Sequence, residues 1–188
     1  MKVMEESTFL NPAQAVRMAG IHEGMQVADF GSGSGFFARA AARAVGDGGV
    51  VWAVDTQREI LSRIQNFAKA ENLNNLEVLH GDVGTASGTS LPSDHFDFVI
   101  AANVLFTIED KGECVAEIRR VLKKSGRALV IDWTSSHGGL GPHPDHVFTR
   151  EEAQKLFERH GFAVAGSIPA GAYHWGFVVR KKSPSGSL

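Results

Sequence analysis

The fold of this chain is decided by the stretch VADFGSGSGFF, residues 27–37. An apolar run ending at Phe30 leads into three glycines that alternate with small residues, and an Ala- and Arg-rich helical pattern follows. A strand, a glycine-rich turn and a helix in this order present backbone N–H groups and a helix N-terminus to a ligand. Glycine suits such a turn because a Cβ would block close approach and because positive φ angles are common there. An ordinary tight strand–helix turn has the same pattern, so the motif needs support from the rest of the chain.

The composition predicts one globular domain, residues 1–188, that is long enough to bury a full core. Hydrophobic residues make up 43% of the chain and charged residues 21%, and the net charge is −2. Without an excess of basic residues, the chain lacks the electrostatic signature of a nucleic-acid partner. No apolar run approaches the ~18 residues of a membrane span, and the first residues lack the apolar core of a signal peptide. We therefore expect a cytoplasmic protein.

The cysteines and histidines predict no metal site. Cys114 is the single cysteine, which excludes an intrachain disulfide and a cysteine-cluster zinc site. His137, His143 and His146 lie in one Gly- and Pro-rich segment, but their spacing matches no helical or hairpin ligand pattern. They are more typical of surface histidines.

Seven apolar segments are predicted as strands, and helical patterns lie between most of them. The strands cover residues 25–30, 50–54, 76–80, 96–103, 126–133, 162–168 and 173–180. The helices cover residues 11–20, 34–45, 57–70, 109–122 and 149–161. Residues 1–10 are predicted as a mobile arm, 83–94 and 134–148 as irregular segments, and 182–188 as a polar tail.

This order of elements predicts a doubly wound α/β fold. Five strands connected by crossovers form a parallel sheet, and their nearly unbroken apolar runs suit strands that are covered on both faces. The last two strands are joined by a short turn, Pro-Ala-Gly-Ala, and so are expected to pair antiparallel. In such sheets ligands bind at the carboxyl ends of the strands.

Polar residues occur where each predicted parallel strand ends. The first strand ends at Asp29 and the glycines, the second at Asp55, the third at Asp82, the fourth at Asn103 and the fifth at Asp132. An acid after the second strand can accept both hydroxyls of a ribose. An acid after the third can accept from the amine of adenine, while the next backbone N–H meets a ring nitrogen. Each acid alone is typical of a solvated strand end or a helix cap, but the set together favours a nucleoside site.

The chain resembles the class I S-adenosylmethionine-dependent methyltransferases from about residue 20 to residue 180. The resemblance rests on the turn at residues 27–35, on Val54-Asp55, on Gly81-Asp82-Val83 and on the stretch from Asp97 to Leu105. It is closest to the small stand-alone branch, of methyltransferase type 11, that is related to quinone and sterol methyltransferases. This resemblance implies a Rossmann-like seven-stranded sheet, mostly parallel, with an antiparallel C-terminal hairpin strand.

The resemblance also implies S-adenosylmethionine as the cofactor and gives the site residues their roles. The three glycines of the turn would pass beneath its methionine part, and Asp29 would support its amino group. Asp55 would hold the ribose, Asp82 and Val83 the adenine, and Asn103 would lie beside the carboxylate and the reactive methyl. The full predicted cofactor-binding set is Asp29, Phe30, Gly31, Ser32, Gly33, Gly35, Asp55, Thr56, Gly81, Asp82, Val83 and Asn103.

The acceptor is predicted to be a small molecule. Asn103-Val104-Leu105 departs from the Asn-Pro-Pro-Tyr pattern of many nucleic-acid and glutamine methylases, which lowers the expectation of a base-amine acceptor. A resemblance to arsenite methyltransferases is contradicted by the single cysteine.

Methyl transfer from a sulfonium is an in-line displacement that depends mainly on positioning, with a base needed only if the nucleophile is protonated. The candidates for that base are His137, His143, His146 and Asp132. We expect residues 134–148, with the arm before Asn11, to cover the acceptor rather than the cofactor. Three aromatic residues form either the acceptor's wall or part of the core: Phe9, Phe106 and Trp133.

Two other functions fit parts of the pattern. A nicotinamide-dependent short-chain dehydrogenase also has a glycine turn and an acid after the second strand, but Phe36 breaks the G-x-G-x-x-G spacing. Its Tyr-x-x-x-Lys pair is missing too, since Tyr173 is the single tyrosine and Phe177 follows four residues later. A non-enzymatic S-adenosylmethionine-binding protein keeps the whole cofactor pattern and differs only in turnover.

Overall fold

The computed structural model describes residues 9–138 and 140–182. Five α-helices and seven β-strands make up the described part, together with two short 3-10 helices at Leu105–Thr107 and Pro144–His146. The helices are α1 (Pro12–Ala19), α2 (Phe36–Val45), α3 (Arg58–Ala70), α4 (Lys111–Val121) and α5 (Arg150–Arg159). The strands are β1 (Gln26–Phe30), β2 (Val50–Asp55), β3 (Leu76–His80), β4 (Phe96–Ala102), β5 (Leu122–Trp133), β6 (Phe162–Ser167) and β7 (His174–Lys181).

All seven strands form one sheet in the order β3-β2-β1-β4-β5-β7-β6. The first five strands are parallel to one another, and β7 runs antiparallel to both of its neighbours, β5 and β6. The predicted doubly wound fold with an antiparallel C-terminal hairpin is confirmed. The antiparallel strand lies inside the sheet, however, and β6 rather than β7 forms the edge.

Helices cover both faces of the sheet. On one face α1, α2 and α3 pack over a core that includes Val27, Val51 and Ile100. On the other face α4 and α5 pack over a core that includes Phe30, Val99 and Val130. The strands β1 and β4 bury almost every side chain, which explains their unbroken apolar sequences.

Local sequence signals explain how several helices begin and end. Asn11 caps α1 by accepting the N–H of Gln14 at 3.0 Å, and Gly20 ends the helix at a φ of +83°. Thr149 and Glu152 form a capping box at the start of α5. The predicted helices therefore occur, with ends that differ by at most two residues.

The segment between β3 and β4, predicted as irregular, forms a series of turns. One detail differs from the predicted pattern. The strand β5 begins at Leu122, directly after α4, rather than at residue 126. This early start depends on tertiary contacts, because Leu122 pairs with Phe96 and Lys123 forms an ion pair with Asp97 at 2.7 Å.

The two predicted terminal segments lie largely outside the described residues. Of the arm at residues 1–10 the structure describes Phe9 and Leu10, and of the tail at residues 182–188 it describes Lys182. Within the described ranges, none of the helices has the length and apolar character needed to traverse a bilayer.

Candidate active site at the carboxyl edge of the sheet

Two clefts open at the carboxyl ends of the parallel strands. The first has a volume of about 600 Å³ and lies against the ends of β1, β2, β3 and β4. The second has a volume of about 350 Å³ and lies between the glycine turn, α1 and the ends of β4 and β5. Gly31, Gly33 and Asn103 line both clefts. One ligand can therefore reach from the first cleft into the second past these three residues.

The glycine turn, residues 31–35, needs its glycines for internal packing as well as for backbone conformation. Gly31, Gly33 and Gly35 have φ angles of +66°, +49° and +74°, a region that L side chains rarely adopt. A Cβ on Gly31 would lie 2.3 Å from Cγ2 of Val104, and one on Gly35 would lie 2.8 Å from Cγ1 of Ile64. The turn is thus clamped between the segment after β4 and helix α3.

The backbone N–H groups of this turn are largely used inside the protein. The N–H of Ser32 donates to the carbonyl of Val54 at 3.0 Å, and that of Gly35 donates to the carbonyl of Ser32 at 2.8 Å. The N–H of Gly33 donates to Oδ2 of Asp55 at 3.0 Å. Our expectation that the turn offers free N–H groups is therefore wrong for these three positions, and they do not form a cradle for phosphate groups.

Asp55 joins the glycine turn to the end of β2. Besides the bond from Gly33, its Oδ1 accepts the N–H of Gln57 at 3.0 Å. Two backbone donors therefore fix the carboxylate, which lines the first cleft. A rigid carboxylate with remaining lone pairs is suited to accept hydroxyl groups of a ligand.

The first cleft is strongly acidic. Four of its lining residues carry carboxyl groups, namely Asp55, Asp82, Glu109 and Asp110, and no lysine, arginine or histidine of the described ranges lines it. Such a surface attracts a cationic ligand and repels phosphate groups. The volume is sufficient for a nucleoside.

Asp29 lies beneath the glycine turn and is 2% exposed. Its Oδ2 is buried and has no hydrogen-bond partner among the described residues. Burial, together with the nearby charge of Asp55, raises the pKa of Asp29 to about 7. A buried carboxyl oxygen without a donor is costly.

Asn103, directly after β4, combines strain with an unsatisfied side chain. Its φ of +56° is unusual for a residue other than glycine. Its N–H donates to the carbonyl of Ile131 at 2.9 Å, while its Oδ1 is buried without a partner among the described residues. Strained backbone and unpaired polar atoms are found together at functional sites.

The second cleft has aromatic walls and one titratable side chain. Phe9, Phe36, Phe37 and Trp133 line it, together with His174 at the start of β7. His174 is 9% exposed, and neither of its ring nitrogens has a hydrogen-bond partner among the described residues. Burial, with a smaller effect of nearby His137, lowers the pKa of His174 to about 4. The imidazole is therefore neutral at pH 7.

The structure brings most of the predicted cofactor-binding residues to the clefts. The first cleft is lined by Gly31, Gly33, Asp55, Thr56, Gly81, Asp82, Val83 and Asn103. Ser32 lines the second cleft, and its hydroxyl donates to the backbone carbonyl of Asp29 at 2.8 Å. Phe30 is a fully buried core residue, and Asp29, Phe30 and Gly35 line neither cleft.

The residues predicted as candidate bases lie outside both clefts. His146 ends a short 3-10 helix with no buried residues, and His143 caps the start of this helix. Nε2 of His137 lies 3.1 Å from the hydroxyls of Thr134 and Ser135. Among the described residues, no group of three or more histidines, cysteines or acids is arranged to hold a metal ion.

Asp132 is fully buried and holds the segment after β4. Its Oδ2 accepts the N–H of Phe106 at 3.1 Å, and its Oδ1 accepts the N–H of Trp133 at 2.9 Å. Burial raises the pKa of Asp132 to about 6, against these hydrogen bonds and the charge of Lys111. The geometry thus gives Asp132 a positioning role between the ends of β4 and β5.

Of the three aromatic residues left open, two line the second cleft. Phe9 and Trp133 are part of its wall, and Phe106 is not. The segment 134–148 supports that wall from outside, because a Cβ on Gly141 would lie 2.7 Å from Cε3 of Trp133. Phe9 and Leu10 also line the second cleft, so the described end of the arm lies on that side.

Sequence reasoning missed two groups of cleft residues. His174 lines the second cleft. The only indication of this in the sequence was that a histidine begins an otherwise apolar strand. Thr107, Ile108, Glu109 and Asp110 also line the first cleft. These residues could have been predicted from their position after β4, because Asn103 at the end of that strand was already a predicted site residue.

Comparisons with known proteins agree with this geometry. The family model for a methyltransferase domain matches residues 21–164. The chain is 30% identical over 158 residues to the ubiquinone/menaquinone biosynthesis C-methyltransferase UbiE of Cupriavidus necator, with 84% of this chain and 61% of the relative covered. The UbiE of Bordetella avium is 32% identical over 133 residues, with 71% and 50% covered. The chain thus spans between about half and three fifths of the length of these curated relatives.

A solved structure is similar over nearly its whole length. The SAM-dependent methyltransferase of Aquifex aeolicus has a TM-score of 0.84 and 27% sequence identity to this chain, and the match covers 93% of this chain and 91% of that one. Because the family model matches well over half of the chain, the chain belongs to the methyltransferase-domain family, and its fold is that of the class I S-adenosylmethionine-dependent methyltransferases.

Proposed function

We propose that this protein transfers a methyl group from S-adenosylmethionine to a small-molecule acceptor. The observation that carries the proposal is the pair of connected clefts: an acidic cleft of nucleoside size that meets an aromatic cleft at Gly31, Gly33 and Asn103. A cofactor with a positively charged sulfur and an ammonium group matches the charge of the first cleft. The junction of the two clefts is where a methyl group would pass to an acceptor.

The residues of the first cleft fit the nucleoside part of this cofactor. The carboxylate of Asp55, held by two backbone donors, is the proposed acceptor for the ribose hydroxyls. Asp82 and the backbone of Val83, which follow β3, are the proposed contacts of adenine. These assignments follow the chemistry of the groups and their place in the cleft wall.

The unpaired oxygens near the junction fit the amino-acid part of the cofactor. Oδ2 of Asp29 lacks a donor, and we propose that it lies close to the cofactor's ammonium group. Asn103 lies at both clefts with its Oδ1 unpaired, and we propose that it contacts the cofactor next to the reactive methyl. A ligand that supplied these contacts would recover the free energy lost by burying the two oxygens.

The protein's own contribution to the reaction is mainly positioning. When bound, S-adenosylmethionine supplies a methyl group on a positively charged sulfur. The clamped glycine turn and the rigid Asp55 carboxylate hold one reactant, and the aromatic cleft receives the other. Fixing two reactants in near-attack geometry can supply most of the acceleration of such a displacement.

The nicotinamide-dependent alternative is not supported. A dinucleotide carries a pyrophosphate, which the four carboxyl groups of the first cleft would repel. The N–H groups that would bind it are used by Val54, Asp55 and Ser32. Tyr173, the single tyrosine, lines neither cleft.

The proposal predicts that S-adenosylhomocysteine and S-adenosylmethionine bind and that NAD does not. Isothermal titration calorimetry on the purified protein measures all three. Binding of NAD as tight as that of S-adenosylhomocysteine would overturn the proposal, and so would the absence of S-adenosylhomocysteine binding by the folded protein.

A variant of Asp55 tests the location of the site. Asp55→Ala removes a charge-assisted contact of about 1.5–3 kcal/mol, which corresponds to a loss of roughly tenfold to a hundredfold in affinity for S-adenosylhomocysteine. Glu77→Ala, which removes an exposed acid on β3 outside both clefts, is the matched control and is expected to keep the affinity.

A further inference from the structure

We propose that the acceptor carries a hydroxyl group on an uncharged aromatic ring, and that His174 takes the proton of this hydroxyl during methyl transfer. The inference rests on the proposed function for the source of the methyl group. It names a residue of this chain for the proton and a chemical class for the acceptor.

The position of His174 is the first observation. It begins β7 opposite Trp133 of β5, and the centroids of the two rings lie 4.2 Å apart. The side chain lines the second cleft and is more than nine-tenths buried. Neither ring nitrogen has a partner among the described residues. Such a buried polar group is expected to meet its partner in a ligand.

The neighbouring polar groups do not compete for this role. Asp132 accepts two backbone N–H groups and lines neither cleft. His137 lies near two hydroxyls, and its ring packs against Tyr173 rather than lining a cleft. His174 is therefore the one titratable side chain in the described wall of the second cleft.

The rest of the cleft determines the class of acceptor. Phe9, Phe36, Phe37 and Trp133 offer ring faces and edges that favour stacking with a flat aromatic body. Among the described residues, no lysine, arginine, aspartate or glutamate lines the cleft, so a carboxylate or ammonium group on the acceptor would find no charged partner in this described wall, which is costly. A phenol has a flat aromatic ring and no charged group, and its hydroxyl provides one hydrogen-bond donor for His174.

The protonation state of His174 fits this task. Burial and the neighbouring His137 keep the imidazole neutral at physiological pH, so that one ring nitrogen can accept a hydrogen bond from the phenol. The oxygen becomes far more acidic as it gains the methyl group, and a weak base then suffices to take the proton.

The proposed step balances in atoms and charge. The bond from the phenol oxygen to the methyl carbon forms while the bond from the sulfur to that carbon breaks, and the electron pair of the broken bond stays on sulfur. The hydroxyl proton moves to a ring nitrogen of His174. The products are the aryl methyl ether, S-adenosylhomocysteine and a histidinium that releases its proton to water.

Binding of a phenol can be followed at His174 itself. The protein, labelled with ¹⁵N-histidine and saturated with S-adenosylhomocysteine, is titrated with 4-methylphenol and with 4-methylanisole, which has the same ring without the donor. We expect the phenol to shift the imidazole ¹⁵N signals of His174, which are identified by their loss in His174→Leu, and the ether to bind at least tenfold more weakly.

The outcomes separate the two proposals. Equal binding of phenol and ether, unshifted His174 signals, or no binding of the phenol by protein that binds S-adenosylhomocysteine would overturn this inference and leave the proposed function standing. Failure of the folded protein to bind S-adenosylhomocysteine would overturn the proposed function instead.

Turnover distinguishes a proton acceptor from a packing residue. With 4-methylphenol, which is protonated at pH 8, His174→Leu is expected to lower kcat at least tenfold. With 4-nitrophenol, which is largely ionised there, the loss is expected to be less than threefold. His22→Leu, an exposed histidine outside both clefts, is the control. An equal loss with both phenols, or methylation of thiols or amines but of no phenol, would overturn the inference.

Discussion

Asp29 is a buried carboxyl group whose charge the fold alone does not satisfy. Its folded-state pKa of about 7 lies well above the value of roughly 3.9 in an unfolded chain. Between these two pH values the native state binds the proton and the unfolded state does not. The free energy of unfolding therefore decreases as the pH rises from about 4 to 7, and the decrease ends above pH 7.

The variant Asp29→Asn, which imitates the protonated group, is expected to lack this pH dependence. Relative to the parent protein, it should gain on the order of 2–4 kcal/mol in free energy of unfolding between pH 4 and pH 8. Urea unfolding of both proteins without cofactor measures the difference. The other buried groups titrate in both proteins, so their effects cancel. Parallel pH profiles would contradict the pKa shift of Asp29.

The segment 134–148 was expected to cover the acceptor, but its described contacts also give it a structural role. It lies behind Trp133 through Gly141, it accepts the indole N–H of Trp175 through the carbonyl of Phe148 at 3.1 Å, and its histidines lie outside both clefts. The segment thus supports the wall of the second cleft from outside.

Replacing His137, His143 and His146 together by Gln tests the three histidines as bases. Because they lie outside both clefts, we expect the affinity for S-adenosylhomocysteine to stay within about twofold, and kcat with 4-methylphenol to fall less than it does in His174→Leu. Calorimetry and a methyl-transfer assay measure the two quantities. A loss of kcat larger than that of His174→Leu would restore the loop histidines as candidates for the proton acceptor.

The strands could be predicted from the sequence because buried parallel strands have unbroken apolar sequences. The start of β5 could not, since Lys123 and Lys124 have the polar character of a loop, and only the contacts with Phe96 and Asp97 make this segment a strand. Local patterns contain no information about such partners.

The site could be predicted where topology alone brings residues together. The residues that follow β1, β2, β3 and β4 meet at one edge of the parallel sheet, so Asp55, Asp82 and Asn103 could be grouped from the sequence. His174 could not, because it comes from the antiparallel strand, and its contact with the cleft depends on where β7 enters the sheet.

In the molecule as a whole, the two clefts differ in charge and depend on different parts of the chain. The acidic cleft uses residues 31–110, whereas the aromatic cleft needs residues from 9 to 174. On the proposed function, the acidic cleft holds the cationic cofactor and the aromatic cleft holds an uncharged acceptor. This division explains why the cofactor pattern could be seen in the sequence, whereas the proposed class of acceptor depends on the assembled cleft.

The place of β7 between β5 and β6 also affects how the chain folds during synthesis. The strand β6 leaves the ribosome before β7, although β7 is its neighbour in the sheet. Until β7 is made, β6 has no strand to pair with, and β5 has an open edge. Open edges promote aggregation of nascent chains. A chain released after Ser167 is therefore expected to sediment as aggregates, whereas one released after Lys182 remains monodisperse or forms a defined oligomer. Since His174 begins this late strand, we expect the newly made protein to complete the first, acidic cleft before the second, aromatic cleft.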